Sequence, residues 1–181
     1  MIAFDRKEFE KLININIRKN IIQKSKYQTD LLENIVDFQS GLWKGYTDDL
    51  QLVKVLRNTN FDNGKLSYKN IAEIDVDKEQ FKKRQLKYGD IILEKSGGSE
   101  TQAIGRVALF DKNTEEIYSY SNFCLRIRVK EENKVNPIYL WLFLNDFYNN
   151  GGTKPLQNGV RLLNIDLEGY KKINIPLPPK G

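Results

Sequence analysis

Gly89–Asp111 reads GDIILEKSGGSETQAIGRVALFD: an apolar triplet, a polar segment broken by glycines, then a second apolar run. Short apolar runs bounded by glycine and polar clusters predict strands, so the stretch predicts two strands holding a loop between them. That loop is not a phosphate cradle. It lacks the Gly-Lys-Ser/Thr ending that would place an ammonium and a metal-binding hydroxyl on a triphosphate, and it leads into a strand rather than a helix N-terminus. As a surface for a duplex its chemistry fits: Lys95, Ser96, Ser99, Thr101, Gln102 and Arg106 donate hydrogen bonds, and glycines allow backbone amides close to phosphates. Gln pairs bidentately with adenine and Arg with guanine. On composition alone, a solvated hairpin loop accounts for the same residues.

A second loop of the same character follows near the end of the chain. In GGTKPLQNGVRLLN, Lys154, Gln157, Asn158 and Arg161 combine amides with cations, and Gly159 permits a positive-φ turn. Upstream, Gly41 and Gly45 bracket Trp43 and Lys44, which could stack on or contact a nucleic-acid backbone; an isolated tryptophan beside glycine also serves as a lid on a core. Tyr118, Tyr120 and Phe123 lie near an edge and could line a nucleic-acid surface, although aromatic strand residues usually pack. Cys124 is expected to be a small buried hydrophobe.

Around these loops, QLVKVLRNTNF alternates as a strand and DNGKLSY supplies an Asn-Gly hairpin turn, which suggests a meander. Asp77 can cap a short helix, DKEQFKKRQL. AIGRVALFD, EEIYSYS and NFCLRIRVKEE are further strand candidates. Asn136 and Pro137 open the helix PIYLWLFLNDFYNN, stopped by Gly151-Gly152. Nearly every position in it is apolar or aromatic, which predicts burial on more than one side. KKINIPLPP is a terminal strand ended by its prolines.

The chain has 181 residues, enough for one sizeable domain plus an appendage. The appendage is residues 1–27, where FDRKEFEKLININIRKNIIQ places Phe9, Leu12 or Ile13, Ile17 and Ile21 at helical spacing. Residues 28–181 form the main domain. The net charge is +5, of which residues 1–27 hold about +4, so bulk charge alone does not make the main domain a nucleic-acid binder. One cysteine and no histidine exclude intramolecular disulfides, the usual zinc sets, Ser-His-Asp triads and Cys-His dyads. No apolar run approaches the roughly 20 residues that span a bilayer, and MIAFDRKEFE is too acidic for a signal peptide, so a cytoplasmic protein is expected.

Taken in order, SGLWKG, VKVLRNTNFDNGKL, KYGDIILEKSGGSETQAIGRVALFD, SNFCLRIRVKEENKVNPIYLWLFL and KPLQNGVRLLNIDLEGYKKINIPLPP resemble a target-recognition domain of type I restriction-modification specificity subunits. The pieces that carry the resemblance are Gly89-Asp90-Ile91, Ser96-Gly97 with Gly105-Arg106, Asn136-Pro137 with Tyr139-Leu140, and Ile175-Pro176-Leu177-Pro178-Pro179. It covers roughly residues 29–179. The resemblance implies an α/β (α+β) fold with a β-rich core, reading one half of a bipartite DNA sequence. Implied partners are double-stranded DNA, a DNA methyltransferase subunit or fused methylase domain that methylates adenine, and a restriction subunit that translocates and cuts; no membrane is involved. Such a domain is not catalytic and needs no cofactor of its own, S-adenosylmethionine being bound by the partner methylase.

The sequence departs from the family pattern in carrying one recognition domain instead of two and in ending at PLPPKG, where members continue into a long helix. A cut-out domain, a half-sized subunit and the C-terminal region of a methylase-specificity fusion are the open expectations. A reading of another class is a protein-interaction module that docks on a methyltransferase through the N-terminal helix and the tryptophan surface without reading DNA. A stand-alone nuclease or transferase ranks last.

Overall fold

The computed structural model describes residues 27–43, 47–99, 102–160 and 162–178. The N-terminal helix expected over residues 1–27 lies, but for Tyr27, outside the described residues, as do Lys44, Thr101 and Arg161.

Ile91–Glu94 (β7) lies inside a four-stranded antiparallel sheet, and all four of its residues are buried. This is why IILE does not alternate: apolar groups are needed on both faces when both are covered. β7 pairs on one side with Val107–Leu109 (β9) and on the other with Cys124–Val129 (β11), whose far edge carries Val36–Ser40 (β2). On one face Ile91, Leu93, Leu125, Ile127 and Val107 pack with Leu140, Leu144, Tyr170 and Ile175. On the other, Ile92, Ala108 and Cys124 pack with Leu56, Phe110, Tyr118 and Tyr120. Cys124 is buried as expected, and its surroundings push the thiol up to about 12 through desolvation.

Strands from the middle of the chain cover this second face. Leu50–Leu56 (β3) pairs antiparallel with Ala72–Asp77 (β6) and parallel with Tyr118–Tyr120 (β10). The hairpin of Phe61–Asp62 (β4) and Lys65–Leu66 (β5) falls between β3 and β6 in sequence but forms its own ladder, so the meander is interrupted. Its turn has the expected chemistry: Asn63 and Gly64 adopt φ of 47° and 81°, as a tight two-residue hairpin turn requires. Thr29–Leu31 (β1) pairs with Asn174–Pro176 (β14), so the two ends of the described chain are laced together. Leu32–Ile35 (α1) follows β1.

Lys78–Arg84 (α2) begins at Asp77, whose carboxylate accepts from Gln80 N at 2.7 Å. Pro137–Asn149 (α3) is capped by Asn136, whose Oδ1 accepts from Ile138 N at 2.8 Å. The expectation that α3 is buried on more than one side does not hold. Leu140 and Leu144 are buried on the sheet, whereas Ile138 and Leu142 are 41% and 52% exposed. The flanking aromatics clamp neighbours by their polar tips. Tyr139 Oη donates to Pro176 O at 2.7 Å, Trp141 Nε1 to Gly64 O at 3.0 Å, and Tyr148 Oη to Ala103 O at 3.0 Å. Leu167–Lys171 (α4) is a short helix ahead of β14 where the sequence predicts only the approach to a strand.

Candidate nucleic-acid interface

The two polar loops, 68 residues apart in sequence where Ser96 meets Asn164, join at the Glu94/Cys124 end of the central sheet. Ser96–Gly97 (β8), just beyond β7, pairs with Leu163–Ile165 (β13), which pairs in turn with Gln157–Asn158 (β12). Side chains tighten the junction: Ser96 Oγ donates to Asn164 Oδ1 at 2.6 Å. The main chain ties it to the sheet, since Lys95 N donates to Phe123 O at 3.0 Å and Ile165 N donates to Lys95 O at 2.9 Å. The first loop therefore opens as a hairpin between β7 and β9, and the second lies against its base.

Within the first loop, Ser99 and Gln102 exchange backbone hydrogen bonds, and Ser99 Oγ accepts from Gln102 N at 3.1 Å. The turn needs Gly98 at φ +72°, because a Cβ there would overlap the Ile104 methyl. Arg106 anchors the loop from below. Its Nε and Nη2 donate to the two oxygens of Glu94 at 2.9 and 2.8 Å, and Nη2 also donates to Asn58 O at 3.0 Å. Glu94 has a side chain only 1% exposed, so the pair is closed on one side and open on the other, where Arg106 is 25% exposed. The Glu94 hydrogen bonds raise the Arg106 guanidinium above its ordinary value.

Asn58 and Thr59 come from a third element that the sequence reading absorbed into the strand QLVKVLRNTNF. The chain leaves β3 into a 3-10 turn, Asn58–Asn60. Asn60 is buried and holds that turn, its Oδ1 accepting from Arg57 N at 3.0 Å and its Nδ2 donating to Ser67 O at 3.2 Å. Polar Asn-Thr-Asn after an apolar run was the available signal. Asn58, Thr59, Phe61, Glu94, Gln102 and Arg106 line a cavity of about 330 Å³.

The other expected contact residues divide by position. Lys154 starts a 3-10 turn, Lys154–Leu156, and is exposed, as is Asn158. Gln157 is turned inward: its Nε2 is enclosed and finds no acceptor among the described residues. At the tip beyond Asn158, Val160 is 96% exposed, an apolar group that the sequence reading passed over. Trp43 is 59% exposed and is no lid on the core. It lines a groove of about 830 Å³ with Arg57, Ile74 and Phe123. Phe123 is exposed while Tyr118 and Tyr120 are buried, so of the three aromatics only Phe123 faces outward. Among the described residues no three of His, Cys, Asp and Glu gather as a metal site needs. No described helix is long and apolar enough to cross a membrane.

Comparison with known proteins gives these features a family. Residues 49–181 match the model of the type I restriction modification DNA specificity domain. Solved structures of similar fold include the S subunit of a type-I restriction-modification system from M. genitalium, at 11% identity and a TM-score of 0.52, covering 85% of this chain and 35% of that one. The HsdS subunit from Thermoanaerobacter tengcongensis matches at 10% identity and a TM-score of 0.54, covering 96% and 41%. A chain from a study of complex assembly and conformational transition of the type I R-M system matches at 18% identity and a TM-score of 0.52, covering 84% and 38%. At such identities the likeness is one of fold, and this chain spans about two-fifths or less of those chains. No curated protein matches the sequence. With the family model spanning β3 to the C-terminus and the mixed α+β fold shared with these subunits, the chain belongs to the type I restriction modification DNA specificity domain family.

Proposed function

We propose that this domain reads one half of a bipartite DNA target, through the surface formed by its two joined loops. It does so for a DNA methyltransferase subunit or fused methylase domain that methylates adenine and a restriction subunit that cuts, acting as a non-catalytic component in the cytoplasm. S-adenosylmethionine belongs to the methylase in this scheme, and the domain needs no cofactor. The observation that carries the reading is the pairing of β8 with β13, which gathers polar side chains from two distant segments onto one exposed end of a DNA specificity domain.

Affinity comes from cations of the two loops, Lys95 and Lys154, through phosphate contacts, with Lys44 and Arg161 as the further cations expected to take part. Specificity comes from groups that reach base edges: Gln102 and Ser99 from the first loop, with Thr101 between them in sequence, and Asn158 and the neighbouring Val160 from the second. Val160 has the character to meet a thymine methyl. Ser96, Gln157 and Arg106 are held by, or turned toward, the protein and position the others.

Selection of bound duplexes from a randomised pool, repeated as salt is raised, tests the proposal. A short enriched motif that persists while total binding falls is the expected result, since phosphate contacts weaken with salt and base contacts much less. Binding without enrichment at every salt concentration would remove base reading from this domain.

A further inference from the structure

The Gln102 amide lies against the Arg106 guanidinium, and that contact fixes which end of the amide is free. A guanidinium has five donors and no acceptor, so the amide atom turned to it is the carbonyl oxygen. Placed that way, Oε1 lies 2.9 Å from Nε, 3.2 Å from Nη2 and 3.3 Å from Nη1 of Arg106. A single atom near all three nitrogens sits over the guanidinium rather than at its edge. The Nε–Nη2 edge is already taken by both oxygens of Glu94 and by the Asn58 carbonyl. Arg106 itself cannot turn away, because Glu94 is buried and would be left as an unpaired charge.

The amide is therefore held by its acceptor end, on a residue that is exposed at the mouth of the cavity lined by Asn58, Thr59 and Arg106. Nε2, the other end of the amide, is thereby turned away from Arg106, and no hydrogen bond joins it to a described residue. We infer that Gln102 is a specificity-determining residue that reads DNA through the donor end of its amide, selecting a base whose groove edge offers acceptors. This deepens the DNA-reading function proposed above and rests on it. It also narrows the residue's chemistry. A free glutamine pairs with adenine by giving one hydrogen bond to N7 and taking one from N6. With its oxygen turned inward on Arg106, Gln102 points its Nε2 hydrogens, and not its oxygen, toward the duplex. Its matching edges are N7 and O6 of guanine, N7 of adenine without use of N6, or O4 of thymine.

The test uses the whole chain, the motif it selects, and Gln102→Glu. The substitution keeps an oxygen over Arg106 and replaces the free donor by an acceptor, so the fold and the loop anchor survive while the reading group is inverted. At one position the selected base should lose about tenfold in preference and give way to a base presenting an exocyclic amino group, cytosine or adenine. Duplexes with analogues at that position then identify the group read in the wild type. Deleting the acceptor, as in a 7-deazapurine, should weaken binding about as much as Gln102→Glu, and deleting an exocyclic amino group should change nothing. A motif that Gln102→Glu leaves unaltered would make Gln102 a prop for Arg106 and overturn the inference. So would a position that needs the amino group, since that requires the amide oxygen to face the base. A wild type that selects no motif at all would instead count against the DNA-reading function and so against the basis of the inference. Thermal unfolding of Gln102→Glu within a few degrees of wild type separates these outcomes from misfolding.

Discussion

Strand β7 is bounded by two buried carboxylates, Asp90 and Glu94, and each is gripped by both arms of an arginine from a neighbouring strand or its approach. Arg128 donates to Asp90 at 2.6 and 2.7 Å, and Arg106 donates to Glu94 at 2.9 and 2.8 Å. Each carboxylate is 1% exposed, and the arginines are 29% and 25% exposed. The same device does different things at the two ends. At the first, Asp90 also accepts from Lys87 N, and Arg128 donates to Gln85 O at 3.1 Å, finishing the C-terminus of α2. Arg126 helps there, reaching Lys83 O at 3.3 Å, and desolvation lowers its pKa. At the second, Arg106 turns its remaining surface to the Gln102 amide and the cavity. One pair closes the structure; the other closes it and presents a loop.

The largest expected effect comes from breaking either pair. Asp90→Ala and Glu94→Ala should each cost roughly 3 kcal/mol, the lower part of the range for a buried ion pair because the arginines keep some solvent. For a chain of this size that is a fall in Tm of about 6–12 °C. The comparison is sharpened by DNA selection at a temperature where both variants are folded: Asp90→Ala should keep the wild-type motif and Glu94→Ala should lose it. Equal loss of motif in both would mean that Glu94 acts on the fold alone. A swap of Glu94 and Arg106 together for Leu and Met should recover much of the stability, since a well-packed apolar pair often matches a buried ion pair, without recovering the motif.

Glycines at the two ends provide the next test. Gly89 and Gly98 both have positive φ, at 88° and 72°. An alanine Cβ at Gly89 would meet Pro137 at 3.5 Å, an ordinary contact, so Gly89→Ala carries only the backbone penalty of about 1–2 kcal/mol. At Gly98 the new methyl would overlap Ile104 as well. Gly98→Ala should therefore cost more than Gly89→Ala by denaturant unfolding, by about 1 kcal/mol or above, and should shift the turn that carries Gln102. A smaller cost at Gly98 would show that the loop yields easily and does not hold its side chains in place.

How much of this was legible in the sequence follows from the range over which each signal acts. Turn and cap chemistry is local, so Asn63-Gly64, the Asp77 cap and the Asn136-Pro137 start could be read directly. Loop composition is local too, and named Ser96 to Arg106 and Lys154 to Arg161 as polar surface. Their meeting could not be read, because β8 and β13 are two and three residues long and carry no pattern that identifies each other. Arg106 looked like a free base reader because its partner Glu94 stands twelve residues away at the end of an apolar run. Helix α3 looked buried on more than one side because Tyr and Trp count as apolar in a periodicity, while their polar tips, here clamping Pro176, Gly64 and Ala103, leave no trace in it.

The smallest expected effect separates the two ends by charge alone. Lys95 and Lys154 lie on the loop side, and neither makes an ion pair with a described residue. Lys134, in the connection from β11 to α3 at the other end of the sheet, is paired with Glu131 at 2.6 Å. Lys134 and Lys154 are exposed and Lys95 is half-buried; replacing a surface lysine by alanine changes stability little, within about 0.5 kcal/mol, so all three variants should fold as wild type. Each phosphate contact contributes about 0.9 to the slope of log K against log salt. Lys95→Ala and Lys154→Ala should each reduce that slope by about 1 and weaken all duplexes alike, leaving the motif intact. Lys134→Ala should leave both slope and motif unchanged. If Lys134→Ala lowered the slope as much as Lys154→Ala, the duplex would have to extend over both ends of the sheet, and the division between a closing end and a presenting end would fail.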